Sequence, residues 1–66
     1  MHVTLNGAPR ELSDGSTIQD VVKSLGLQEK QVAVEHNRNI LKREQWNETA
    51  VSEGDHLEIV HFVGGG

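Results

Sequence analysis

Ser16-Thr17-Ile18-Gln19-Asp20-Val21-Val22-Lys23-Ser24-Leu25-Gly26-Leu27 is the stretch whose reading decides the fold. Ile18, Val21, Val22 and Leu25 recur at i, i+3, i+4 and i+7, so a helix here carries one continuous apolar stripe. A hydroxyl at Ser16 and an amide three residues later at Gln19 fit a capping box, in which each side chain satisfies a backbone donor of the first turn. Asp20 lies toward the positive end of the helix dipole and Lys23 toward the negative end. Gly26 supplies the left-handed residue that ends the helix, and Leu27 folds back onto the last turn. Everything else in the chain reads as strand, turn or a single helical turn.

Before the helix, Met1 to Asn6 alternates, with Val3 and Leu5 facing one way and His2 and Thr4 the other, as in a half-buried strand. Asn6-Gly7 predicts a type I′ hairpin turn, which needs positive φ at both central residues. The return strand, Ala8 to Leu12, contains Pro9, which has no N–H for a ladder and so belongs at a sheet edge. Met1 and Leu12 flank the inward face. Ser13-Asp14-Gly15 is a loop.

After the helix, Gln28 to Gln31 is a polar connection and Val32-Ala33-Val34-Glu35 a short strand, apolar on both faces at its start. His36-Asn37-Arg38-Asn39 turns the chain into a brief strand at Ile40-Leu41. Lys42 to Trp46 makes a helical turn, and Ser52-Glu53-Gly54-Asp55 a second clear turn. His56 to Val63 is the final strand, with Leu57, Ile59 and His61 on one face and Glu58, Val60 and Phe62 on the other. One helix covers only one face of a sheet, so the architecture is two layers. The expected fold is α+β: a β-grasp, with a mixed sheet of four to five strands, the first and last strands central, and one main helix across one face. Residues 1–63 form the domain and residues 64–66 a flexible glycine tail.

The totals narrow the function. A chain of 66 residues buries only about 60% of its unfolded surface and has little material for the walls of a deep substrate cavity. Ten acidic residues against six basic ones leave a net charge of −4. The basic groups are scattered, which offers a phosphate backbone little to grip. There is no cysteine, and no apolar run approaches the ~20 residues that span a membrane. The N-terminus has no signal-peptide pattern, so the expected compartment is the cytoplasm.

Chemistry-bearing residues are few. His2, His36, His56 and His61 fall in different elements without metal-site spacing, although His2 and His61 come close if their strands pair. Trp46, the only tryptophan, reads as a core plug. The acidic pairs Glu11/Asp14 and Glu53/Asp55 flank turns and read as solvated loop ends. No Ser/His/Asp or Cys/His set is recognisable.

Two features remain. Gly64-Gly65-Gly66 follows an apolar strand directly. Glycines at a terminus are often plain flexible ends. Here, three residues without Cβ also make a thread that passes through a narrow channel, drawn out to ~10 Å. Its carboxylate, with a reference pKa near ~3.5, is a weak nucleophile that an external enzyme must activate. The second feature is the face of the last strand that carries Val60 and Phe62. With the helix on the other face, these apolar groups stand open as a docking patch beside the tail, unless a loop covers them.

The ending Val60-His61-Phe62-Val63-Gly64-Gly65-Gly66, the segment Lys42-Arg43-Glu44-Gln45-Trp46, the opening Leu5-Asn6-Gly7 and the length resemble the ThiS family, the sulfur carriers of thiamine-thiazole biosynthesis. The common family ending is two glycines; Gly64 extends the run by one. The resemblance implies a ubiquitin-like β-grasp and a carrier rather than an enzyme. It implies that a ThiF-type adenylyltransferase uses ATP to adenylate Gly66, with no cofactor bound by the chain itself. Sulfur from a cysteine desulfurase then leaves a thiocarboxylate on Gly66, and thiazole synthase takes that sulfur. Gly64 and Gly65 would form the tail, and Val60, Phe62 and Val63 would meet partners. A carrier for molybdopterin or tRNA thiolation, a ubiquitin-like modifier joined to lysines, and an interaction domain with an inert tail stay open beside it.

Overall fold

The computed structural model describes residues 1–62. Five strands form one mixed sheet: β1 (His2–Leu5), β2 (Ala8–Glu11), β3 (Val32–His36), β4 (Asn39–Leu41) and β5 (His56–His61), in the order β2-β1-β5-β3-β4. β1 and β5 run parallel, whereas β1–β2, β3–β4 and β3–β5 are antiparallel. The last strand is therefore the middle of the sheet. Pro9 lies on the edge strand β2, where a missing N–H leaves no ladder bond unmade. The turn between β1 and β2 has φ of 50° at Asn6 and 81° at Gly7, as a type I′ turn requires.

Helix α1 (Ile18–Ser24) packs across one face of the sheet. Ile18, Val21 and Val22 of its stripe are buried against Val3, Leu5, Val32, Val34, Leu57 and Ile59 of the strands. Burying one such side chain contributes about 1.5–3 kcal/mol, so a small domain depends on each. Leu25 and Leu27 pack against the rim of this cluster, as do Met1 and Leu12. Gly26 has φ of 70°, the left-handed conformation expected after the helix.

The helix begins one residue later than its sequence suggests. Thr17, not Ser16, is the N-cap, and Asp20, not Gln19, completes the capping box. The Asp20 amide donates to Thr17 Oγ1 at 3.2 Å and the Thr17 amide donates to Asp20 Oδ2 at 2.9 Å. A charged carboxylate at the helix start adds the dipole term that Gln19 lacks. Ser16 instead donates its hydroxyl to the Ser13 carbonyl.

Residues Arg43–Glu48 form a 3-10 helix that drives Trp46 into the core, where it is only 1% exposed. The chain then returns past the helix start: the Ile18 amide donates to the Thr49 carbonyl and the Val51 amide to the Ser16 carbonyl. This strap closes the layer opposite the open face of the sheet. The proposed proximity of His2 and His61 is not observed. Thr4 pairs with His56 in the parallel β1–β5 ladder, so His2 lies beside the turn that precedes β5, while His61 pairs with Val32 at the far end. β5 ends at His61; Val63, the 63/64 boundary and the tail 64–66 lie outside the described residues.

Candidate functional site

Alternation along β5 builds the site. Leu57 and Ile59 point into the core at 1% and 7% exposure, so Val60 and Phe62 are turned to the uncovered face, at 54% and 56%. Among the described residues no second layer covers them, and the face is open and apolar as expected. Sequence reading missed the third large apolar group there: Ile40, at 78% exposure, on β4. Its place follows from register, because Ile40 pairs with Glu35 and Glu35 with Glu58, and register is not written in a three-residue strand. Ile40, Ala33 and Val60, with Glu35 and Glu58, line a hollow of about 180 Å³.

The strand that carries this face is held on both edges. On the β3 side the ladder runs from Leu57 to His61, and the Phe62 amide donates to the Gln31 carbonyl at 2.7 Å. On the β1 side the main-chain ladder stops at Leu57, and the Asn6 side chain takes over both polar groups of Ile59. The strand is therefore anchored on both edges, and on the β3 side as far as Phe62.

The start of β5 is fixed by a buried carboxylate that the sequence reading misplaced. Asp55 is not a solvated loop end: it is 8% exposed. Its Oδ2 accepts from the Ser52 amide at 2.8 Å and from His36 Nε2 at 2.8 Å, and its Oδ1 from Asn37 Nδ2 at 3.1 Å. Burial pushes the Asp55 carboxyl up. Hydrogen bonds from His36, the Ser52 amide and Asn37, with the His36 charge, together outweigh burial and hold it below the usual carboxylate range. Asn37 Oδ1 in turn accepts from the His56 amide. The Ser52–Asp55 spacing was a local signal for a side-chain-capped turn; the His36 and Asn37 contacts, from the far hairpin, were not. Glu53, the other member of that pair, accepts from the His2 amide at 2.9 Å.

These groups are structural. No cluster of three or more metal-ligating side chains occurs among the described residues, and no helix there is long and apolar enough to cross a membrane. What the described surface presents is an apolar face on the strand leading to Gly64-Gly65-Gly66. Of the predicted site residues, Val60 and Phe62 share this face; Val63, Gly64, Gly65 and Gly66 lie outside the described residues.

The ThiS family matches residues 3–66. The sulfur carrier protein ThiS of Bacillus subtilis is 47% identical over 53 residues, 80% of each chain. The crystal structure of a thiamine biosynthesis protein (ThiS) from Geobacter metallireducens superposes with a TM-score of 0.85 at 33% identity, covering all of both chains. A thiazole synthase of Magnetococcus marinus is 36% identical over the whole of this chain, which spans only 20% of that protein's length. The fold, the family match along nearly the full length and the identity to the Bacillus carrier place this chain in the ThiS family.

Proposed function

We propose that this sulfur carrier of the thiamine pathway works through the carboxylate of Gly66, which a ThiF-type adenylyltransferase activates with ATP. A carboxylate oxygen attacks the α-phosphate, pyrophosphate leaves, and an acyl-adenylate forms on Gly66. The terminal sulfur of a persulfide, derived from a cysteine desulfurase, attacks the acyl carbon and AMP leaves, giving an acyl persulfide. A thiol then attacks the other sulfur, breaks the S–S bond and is oxidised to a disulfide, which leaves a thiocarboxylate on Gly66. Thiazole synthase then takes the sulfur for ring formation. The carrier supplies no catalytic group; positioning and charge neutralisation belong to the enzymes that grip it. Gly64 and Gly65 keep the thread slim, Val60, Phe62 and Val63 dock it, and the cytoplasm is the compartment.

The observation that carries this reading is the pairing of an anchored central strand with exposed Val60 and Phe62 just before the glycines. A rigid handle beside a slim thread is what an enzyme needs to place one terminal carbon within reach of a bound nucleotide. Thiazole synthase as a partner draws support from the Magnetococcus marinus protein, in which a segment similar to this whole chain is part of a longer thiazole synthase.

The test is ATP–pyrophosphate exchange with a ThiF-type enzyme. Deleting Gly66, or adding a C-terminal tag, is expected to abolish exchange while the far-ultraviolet circular dichroism stays unchanged. Exchange at the wild-type rate in either variant rejects the assignment. Intact mass after incubation with ATP and a sulfur donor is expected to rise by sulfur minus oxygen; a covalent adduct with a second chain indicates a protein modifier instead.

A further inference from the structure

Glu35 and Glu58 stand directly opposite each other on β3 and β5, on the open face of the sheet. Like charges in directly opposed positions destabilise a sheet. Among the described residues no ion pair offsets this: the pairs there are Met1–Asp14, His2–Glu53 and His36–Asp55, and neither glutamate takes part in one. Arg38 and His56 line a hollow on one side of the two glutamates without forming a salt bridge to either. On the other side lies the apolar hollow of Ile40, Ala33 and Val60, and Phe62, two residues beyond Val60, is also exposed.

Two carboxylates at the end of an apolar groove match one kind of side chain. An arginine lays its aliphatic stem along Ile40 and Val60 and brings its planar guanidinium between the two glutamates, each of which can accept from it. Such a residue removes the repulsion at the moment of docking. A small free amine would leave Ile40, Val60 and Phe62 uncovered. A protein surface with an arginine set in an apolar surround covers all of them, and the net charge of −4 draws such a surface in.

We propose that Glu35 and Glu58 form the receptor for an arginine of the partner protein, and that this receptor, together with Ile40, selects which proteins dock on the face. The inference rests on the docking role given above to Val60 and Phe62, and its test separates the two. Binding of the full chain to purified thiazole synthase and to a ThiF-type adenylyltransferase is measured at two salt concentrations, for wild type, Glu35→Gln/Glu58→Gln, Glu35→Lys and Phe62→Ala. With at least one of the two proteins, the Gln pair is expected to weaken binding by roughly 10-fold at low salt and to flatten the salt dependence. It is also expected to leave the melting temperature equal or higher, because the repulsion is gone. Glu35→Lys is expected to weaken binding further.

If Phe62→Ala weakens binding and the Gln pair does not, the face docks but the arginine receptor is wrong. If none of the variants weakens binding, or the wild-type chain binds neither protein, the docking role itself fails and the inference with it. If the Gln pair changes self-association on sedimentation instead of partner binding, the occupant is a second copy and the proposal is overturned.

Discussion

The side-chain amide of Asn6 pairs with both main-chain polar groups of Ile59: the Ile59 amide donates to Oδ1 at 2.7 Å, and Nδ2 donates to the Ile59 carbonyl at 3.1 Å. The Asn6 main chain has already turned away, at φ 50°, after donating its own amide to the Leu57 carbonyl. The side chain thus stands in for the next residue of β1 and extends the parallel ladder by one rung. It secures the strand that leads to the glycines at the point where its neighbour stops.

Replacing Asn6 by glycine keeps the left-handed turn free of strain and removes only this rung. Asn6→Gly is expected to lower the unfolding free energy by about 1–2 kcal/mol. Urea titration measures the loss, and hydrogen exchange should show the Ile59 amide opening faster than the Val34 amide. Asn6→Ala should cost more, because a Cβ at positive φ adds strain. Equal stability of wild type and Asn6→Gly would mean that water replaces the side chain without penalty.

The helix start offers a test of how far the sequence was legible. The stripe Ile18, Val21, Val22 and Leu25 placed the helix and its buried face correctly, because periodicity is a local property. The cap was displaced by one residue, because Ser16 and Thr17 both offer a hydroxyl and only the strap at Thr49 to Val51 decides which one faces the first turn. Thr17→Ala is expected to cost about 1 kcal/mol and Ser16→Ala clearly less, measured as shifts in urea midpoint. The reverse order would restore Ser16 as the cap.

The same distinction explains the open face and Asp55. Val60 and Phe62 were legible because alternation along one strand decides their side. Ile40 and the Glu35–Glu58 pair were not, because they depend on register between strands. Asp55 looked like a loop carboxylate because its partners His36 and Asn37 arrive from a hairpin 18–19 residues away.

Asp55 is expected to dominate the acid sensitivity of the domain. Its carboxyl is held below the ordinary value of 3.8 in the folded chain. The unfolded chain therefore takes up the proton first as pH falls. The stabilisation is complete above the ordinary value and is lost as pH drops through the folded value. Asp55→Asn removes the charge and turns an amide donor toward the Ser52 amide or Asn37, which is expected to cost about 2–3 kcal/mol at pH 7. Urea denaturation at pH 7 and in steps down to pH 3 should show the gap between wild type and variant narrowing only at the acid end. A gap independent of pH would assign the loss to shape rather than to the charge.

Trp46 combines full burial with an unanswered polar group. It is 1% exposed, yet its Nε1 has no hydrogen-bond partner among the described residues. Trp46→Ala leaves a large cavity and is expected to cost about 3–5 kcal/mol. Trp46→Phe also loses volume, but it removes a buried N–H whose unmet bond costs about 1–3 kcal/mol, so the two effects oppose each other. The Phe variant is therefore expected to lose clearly less than the Ala variant. Denaturation followed by circular dichroism gives both values, since neither variant retains the tryptophan signal. A Phe variant as damaged as the Ala variant would show that the indole N–H is hydrogen-bonded in solution, with a water or a shifted carbonyl as its partner.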